Sequence, residues 1–344
     1  MPGIEDVARL AGVSTATVSR ALSGKDVVSE KARKKVEDAA RELGYIVSHS
    51  AYTLATGRNR NIGVVMPYVD RWFFSASLEA IESTLIEHGY DLTLYNLSGG
   101  QDQRRRIFDE FLLRQRVDAV LTVAVHPNES ELEQLNKMMK PIIAIGGQVH
   151  GARSLAMNDH DAGKLATEHL LSLGHTRVAN ISGMIGSDRE FDQANKRKEG
   201  YLEAMHEAGL ETRKNWLAEA DYTSQGAYKV VKQMLGDPKN APTAIFCNSD
   251  EMGFGAIMAA KDLGLRVPED ISVIGIDNHD MAEFFGLTTV DQHVREQGAE
   301  ATRLLLEVLS DPTLESHVNV EEDVEWPVNL FIRSSTARPA AGAR

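Results

Sequence analysis

The chain has a single cysteine in 344 residues, Cys247, so no intrachain disulfide can form and nothing calls for an oxidising compartment. No run of apolar residues reaches bilayer-spanning length. The opening Met1-Pro-Gly-Ile-Glu-Asp6 has neither the basic region nor the apolar stretch of an export signal, so a cytoplasmic protein with no membrane partner is expected. Glycine-rich phosphate loops are missing too: none follows the apolar run 62–67, and Gly146-Gly-Gln-Val-His-Gly151 has the wrong spacing. His160 lies in Asn158-Asp-His-Asp161 without partners at metal-ligand spacing, and reads as a strand end and helix cap. His169 and His175, six apart, do not share a helix face. No nucleophile, base and orienter can be assembled, so no catalytic residue, metal or cofactor is expected. A cytoplasmic α/β enzyme acting on a small polar metabolite stays as the alternative, distinguished by turnover of its ligand.

What is present is asymmetric. Residues 1–60 hold ten lysines and arginines against seven acids, whereas the whole chain carries a net charge of −13. A polyanion is therefore attracted to the beginning of the chain and repelled by the remainder. Ile4, Val7, Ala8 and Ala11 recur at helical spacing, and Gly12 then breaks the helix. Ser14 is placed to cap a second helix whose apolar face is Val18, Ala21 and Leu22. Two short helices joined by a glycine-containing turn make a helix-turn-helix. From Ser29, another cap, Ala32, Val36, Ala39, Ala40 and Leu43 predict a third helix, with Lys31, Arg33, Lys34 and Lys35 in its first half. Thr15, Ala16 and Arg20 stand on the outer side of the second helix, and Arg20 has a bidentate option on guanine. The bland reading of the same pattern is a small packed cap with a solvated face. A polar linker, Ala55-Thr-Gly-Arg-Asn-Arg-Asn61, then precedes the apolar run from Ile62.

The segments Ile4-Glu-Asp-Val-Ala-Arg-Leu-Ala-Gly-Val-Ser14, Thr17-Val-Ser-Arg-Ala-Leu22, Val28-Ser-Glu30 and Leu43-Gly-Tyr45 resemble the LacI/GalR family of bacterial transcription repressors, and the likeness runs to about Arg333. The resemblance adds Thr17, Ser19 and Ser29 to the DNA-binding set. It also implies a hinge helix whose Leu54 wedges into the minor groove at the centre of a palindromic operator. Leu54 packing on a partner subunit is the alternative. Val47 stands where the family commonly has proline and Tyr52 where it commonly has arginine.

Beyond residue 61 short apolar runs alternate with helical stretches, which means parallel sheets covered on both faces. Strands are expected at Ile62 to Met66, Leu92 to Leu97, Val117 to Val125 and Ile142 to Ile145. A second series lies at Val178 to Ile181, Trp216 to Ala220, Ala244 to Cys247 and Ser272 to Ile276. The expected fold is thus an all-α helix-turn-helix head (1–46), a hinge helix and linker (47–61), and an α/β two-lobed core of doubly wound sheets (62–333) resembling periplasmic binding proteins. Lobe 1 is read as about 62–160 with 293–322, lobe 2 as about 161–292 with 323–333, and 334–344 as a disordered tail.

Open parallel sheets bind ligands beyond the carboxyl ends of their strands. Asp70-Arg-Trp-Phe-Phe74 follows the first strand with three aromatics in a row. The resemblance aligns Phe73 and Phe74 with effector-stacking residues, beside Trp72, and places Arg197, Tyr222, Asp250 and Asp277 opposite them; Arg189 and Ser249 are lesser candidates. Other roles stand beside these: an ion pair for Arg197 and Asp277, a helix cap for Asp250, a core-edge aromatic for Tyr222. Aromatic faces with one carboxylate and one guanidinium suit a neutral sugar or polyol. The end of the chain has no leucine heptads, so a homodimer is expected.

Overall fold

The structure, a computed structural model, describes residues 2–22, 28–45, 57–114, 116–183, 192–310 and 323–340. They fall into two compact units, Met1–Asn61 with Arg116–Asp118 and Ile62–Gln115 with Ala119–Arg344. The first contains three helices, α1 (Ile4–Ala11), α2 (Thr15–Leu22) and α3 (Glu30–Leu43). Each boundary has a local cause. Gly12 ends α1 in the left-handed region (φ 66°), Ser14 Oγ accepts the Thr17 N–H at 3.1 Å, and Ser29 accepts the Ala32 N–H. The apolar stripes meet in one core in which Val7, Val18 and Val36 are fully buried. The hinge residues, Val47, Tyr52 and Leu54 among them, lie outside the described residues.

The second unit contains two six-stranded sheets. The first combines β1 (Asn61–Met66), β2 (Asp91–Asn96), β3 (Ala119–Val123), β4 (Ile142–Ile145), β5 (Arg153–Met157) and β11 (Asp323–Trp326) in the order β11-β5-β4-β3-β1-β2. The second combines β6 (Val178–Ser182), β7 (Leu217–Glu219), β8 (Ala244–Cys247), β9 (Ser272–Ile276), β10 (Thr288–Asp291) and β12 (Asn329–Phe331) in the order β12-β10-β9-β8-β6-β7. Both are doubly wound, with order reversing beside the first strand of each lobe. Burial alternates as a two-sided sheet requires: Ile245 and Cys247 enter one core cluster, Ala244 and Phe246 the other.

Helices α4 (Trp72–Glu87), α5 (Gly100–Arg106), α6 (Glu129–Lys137) and α12 (Val294–Ser310) belong to lobe 1. Lobe 2 has α7 (Asp159–Ser172), α8 (Gln193–Glu207), α9 (Ser224–Leu235), α10 (Asp250–Asp262) and α11 (Ala282–Phe285). Helix α4 begins at Trp72, so the three consecutive aromatics form its first turn.

Two expectations are corrected. Residues 323–326 do not join lobe 2, because β11 pairs in parallel with β5 in register Asp323 to Ser154; the chain crosses after Trp326, and β12 then runs antiparallel to β10. Nor is 334–340 a disordered tail. Ser335 is 2% exposed: its carbonyl accepts from Val273 N–H and its hydroxyl accepts from Thr288 N–H. His175 Nε2 lies 2.8 Å from the Ala337 carbonyl and His169 Nε2 3.0 Å from Thr336 Oγ1, so the two histidines help fix this segment against lobe 2. Burial lowers both imidazole pKa values, keeping the rings neutral. Among the described residues no helix is long and apolar enough to cross a membrane, and no cluster of three His, Cys, Asp or Glu is placed to hold a metal.

Candidate effector cleft and DNA-reading face

A cleft of about 600 Å³ of atom-free space, its mouth included, opens at the carboxyl edges of both sheets. Its position follows from topology. Tyr68, Arg71, Phe73 and Phe74 follow β1, Ala124 follows β3, Ser249 and Glu251 follow β8, Asp277 follows β9 and Gln292 follows β10. Of these strands β1, β3 and β8 border a switch point, where adjacent connections leave in opposite directions and a crevice must form, and β9 and β10 are the next two along from β8.

Lobe 1 lines the cleft with rings. Phe74 meets Phe73 edge-on at 5.2 Å and Tyr68 at 5.8 Å, and the Arg71 guanidinium sits 4.2 Å from the Tyr68 ring centre. Lobe 2 supplies fixed polar groups. Arg197 Nε donates to Asp159 at 2.7 Å and Nη1 donates to the Asn248 carbonyl, while the arginine is only 4% exposed. The close crossing of α7 and α8 sets this position: a Cβ on Gly163 would lie 2.2 Å from the Arg197 carbonyl oxygen, and one on Gly200 2.0 Å from that of His160. Asp277 accepts from Gln292 Nε2 at 2.5 Å. A Cβ on Gly183 would come within 1.8 Å of the Tyr222 ring, so that glycine makes room for the aromatic.

Non-glycine residues with positive φ cluster here as well: Ala124 (42°), Tyr222 (58°), Asp277 (130°) and Asn278 (55°). Such conformations cost free energy and persist where surrounding contacts impose them, frequently at binding sites. Burial pushes the Asp277 carboxyl up to about 7, against the opposing pull of Arg197. Asp250 is pushed well above the usual carboxylate range, first by burial and then by Asp277. Burial also raises Glu251, and the Trp72 backbone N–H and Arg71 counteract that rise. A carboxyl poised near 7 can accept or donate a hydrogen bond with little cost in protonation.

The sequence-derived candidates divide in two. Phe73, Phe74, Arg197, Tyr222 and Asp277 share the cleft wall. Trp72 and Asp250 do not line it. Asp250, fully buried, accepts from Thr289 Oγ1 at 2.7 Å and from His279 N–H at 2.8 Å, bracing the loop that carries Asp277. Trp72 points to a neighbouring contact, stacking on His279 and donating from Nε1 to Asp280. Arg197 pairs with Asp159 within lobe 2, and Arg189 lies outside the described residues. Tyr68, Arg71, Gln193, Glu251 and Gln292 join the wall without having been singled out. The rule of strand ends finds Glu251, beside Asp250; Gln292 was hidden because β10, Thr-Thr-Val-Asp, does not read as an apolar strand.

On the head, Thr15, Ala16 and Arg20 are exposed along α2, with Thr17 and Ser19 partly covered. Thr17 Oγ1 lies 2.9 Å from Ser14 Oγ, and Ser29 is exposed while capping α3. Short side chains beside one long guanidinium let a helix approach base edges closely.

A helix-turn-helix head joined in one chain to a two-lobed ligand cleft defines a ligand-responsive DNA-binding regulator. Comparison with known proteins gives the family. The profile for bacterial regulatory proteins of the lacI family matches residues 3–48, and that for the periplasmic binding protein-like domain matches residues 167–336. The chain is 36% identical over 318 residues to the HTH-type transcriptional repressor PurR of Vibrio vulnificus, covering 90% of this chain and 93% of that one. Among solved structures it resembles the lac repressor dimer bound to operator and the anti-inducer ONPF (TM-score 0.82, 27% identity, 98% and 99% covered). It also resembles a complex of the transcriptional regulator CelR with cellobiose (TM-score 0.70, 27% identity, 97% and 100% covered). The chain belongs to the lacI family of bacterial regulatory proteins. It is a transcriptional repressor of that family, which binds operator DNA and answers to a small molecule, and the enzyme alternative falls away.

Proposed function

We propose that this repressor is a cytoplasmic homodimer that reads a palindromic operator, and that a saccharide or polyol in the cleft controls its affinity for DNA. The observation that carries the effector reading is the mixture on the cleft wall: four aromatic rings, two guanidinium groups, two carboxyls and two amides. A sugar hydroxyl donates to a carboxylate and accepts from an arginine or amide at once, while the CH face of the ring packs on an aromatic. Phe73, Phe74 and Tyr222 would supply the faces, and Arg197 and Asp277 the fixed hydrogen bonds. The cellobiose carried by CelR agrees with this choice. A second reading, a purine-related effector, is favoured by relatives named PurR at 34–36% identity. A flat base would use the same rings and pair its edge with Arg197 and Asp277.

Thr15, Ala16, Thr17, Ser19, Arg20 and Ser29 form the proposed operator-contacting set, with Leu54 as the minor-groove wedge. The dimer reading is supported by Phe284, 84% exposed on α11, with Met281 beside it at 43%. An effector that binds the DNA-bound and DNA-free arrangements unequally must shift operator affinity by the same factor.

Calorimetric titration with mono- and disaccharides, polyols and purine bases separates the two readings. Saturable binding by a saccharide or polyol, weakened about a hundredfold in Asp277→Ala, is expected; binding by a purine base alone would replace the first reading with the second. Sedimentation should give twice the chain mass, and a monomer at micromolar concentration would overturn the dimer.

A further inference from the structure

Just outside the cleft, the lobes meet through a compact set of side chains that leaves the cavity wall untouched. From lobe 2, the Asp280 carboxylate accepts from Arg295 Nη1 at 3.1 Å and Nη2 at 3.0 Å, and from Trp72 Nε1 at 3.0 Å. All three donors belong to lobe 1, two on α12 and one on α4. The Trp72 ring stacks on His279 with centroids 4.8 Å apart and planes 26° from parallel, and Arg295 lies 5.6 Å from the indole centre. Glu79, about two turns along α4 from Trp72, pairs with Arg295 at 3.3 Å and aims it. Phe254 meets the far side of this group edge-on to His279 at 5.1 Å.

Sequence position ties the group to both walls of the cleft. Trp72 directly precedes Phe73 and Phe74, and His279 and Asp280 follow Asp277 by two and three residues. The tie on lobe 2 is rigid, because Asp250 accepts the His279 N–H while its other oxygen accepts from Thr289. A change in lobe separation must stretch the Asp280 contacts and move Phe73 and Phe74 relative to Asp277 together. One half-exposed ion pair would count for little, but a carboxylate held bidentately, shared with an indole N–H and bordered by a stack forms a network.

We infer that Trp72, Asp280 and Arg295 form a clasp between the lobes that holds the cleft closed, acting as positioning residues for the effector response rather than as effector contacts. This rests on reading the cleft as the effector site, yet the clasp makes its own prediction without any ligand. The energy of the clasp is part of what an effector would otherwise have to supply to close the lobes, so weakening it lowers the fraction of molecules ready to bind.

The test is single-molecule energy transfer between dyes on Met139→Cys in lobe 1 and Lys239→Cys in lobe 2, both exposed, in full-length protein without ligand; the native Cys247 is fully buried and stays unlabelled. Asp280→Ala and Trp72→Phe should each shift the population toward lower transfer, the second retaining a ring but losing the N–H. Asp280→Arg and Arg295→Asp should each do the same, and the two together should recover part of the lost transfer, the ion pair returning without the Trp72 bond to residue 280, which a merely structural defect would not allow. Unchanged transfer in Asp280→Ala, or no recovery in the exchanged pair with wild-type melting temperature, would overturn the clasp. Failure of every candidate ligand to bind, with these shifts intact, would instead count against the effector reading alone.

Discussion

The two lobes share a strand order but furnish the cleft differently. Lobe 1 contributes three rings and the Arg71 guanidinium from one segment, Tyr68 to Phe74. Lobe 2 contributes charges already fixed by buried partners, Arg197 by Asp159 and Asn248, and Asp277 by Gln292. One lobe therefore supplies polar groups already fixed by buried partners, and the other a mostly aromatic cover whose separation from them the proposed Asp280 clasp would resist. That division suits a sensor: recognition is preorganised on one side, and the movement that reports it belongs to the other.

Asp277→Ala should weaken effector binding by ~3 kcal/mol, about a hundredfold, since it deletes a charged partner from a desolvated wall; ligand-free operator affinity should be retained, and loss of both would mark Asp277 as structural. Gly200→Ala comes next. Its Cβ would meet the His160 carbonyl, so the α7–α8 crossing must widen at a cost of ~2 kcal/mol, displacing Arg197. A lowered melting temperature with weaker effector binding is expected, whereas a melting temperature equal to wild type would deny the tight crossing. On the apolar side, Phe73→Ala should cost ~1 kcal/mol of effector affinity, the value of one ring contact, read by the same titration.

A further effect is one of pH. With Asp277 raised from 3.8 to about 7, the folded protein keeps a proton that the unfolded chain has released over that interval. Its contribution is fully present below 3.8 and is lost as pH rises through about 7, so stability falls across that window. Asp277→Asn should flatten the slope between pH 5 and 8 in thermal melts. A slope equal to wild type would assign it to other groups, with Asp250 the first to examine.

How much of this was legible in the sequence varies with what each residue must satisfy. The head was legible because Gly12, Ser14 and Ser29 act within their own turns and the apolar stripes repeat at helical spacing. Strands β8 and β9 were visible as continuous apolar runs. Strands β5, β10 and β11 mix polar residues into four or five positions, and nothing in Asp-Val-Glu-Trp says which sheet it will join; pairing partner is a tertiary property. The 334–340 segment has the composition of a tail, yet its anchoring is supplied largely by backbone atoms and by His169 and His175 far earlier in the chain. Likewise the rule of strand ends marked the segment carrying Trp72, and the family resemblance placed Asp250 and Asp277 opposite it. Neither revealed that Asp250 is spent on Thr289 and His279, or that Trp72 turns to Asp280, because side-chain direction depends on partners 29, 39 and 208 residues away.

Effector-controlled operator recognition is measured by selecting bound sequences from a random DNA pool with purified protein at fixed salt, once without ligand and once with a mixture of saccharides, polyols and purine bases. One palindromic motif is expected whose recovery differs between the two arms, and in which Arg20→Ala relaxes a single symmetric pair of positions at a cost of ~1 to 3 kcal/mol. No enriched motif in either arm would contradict it.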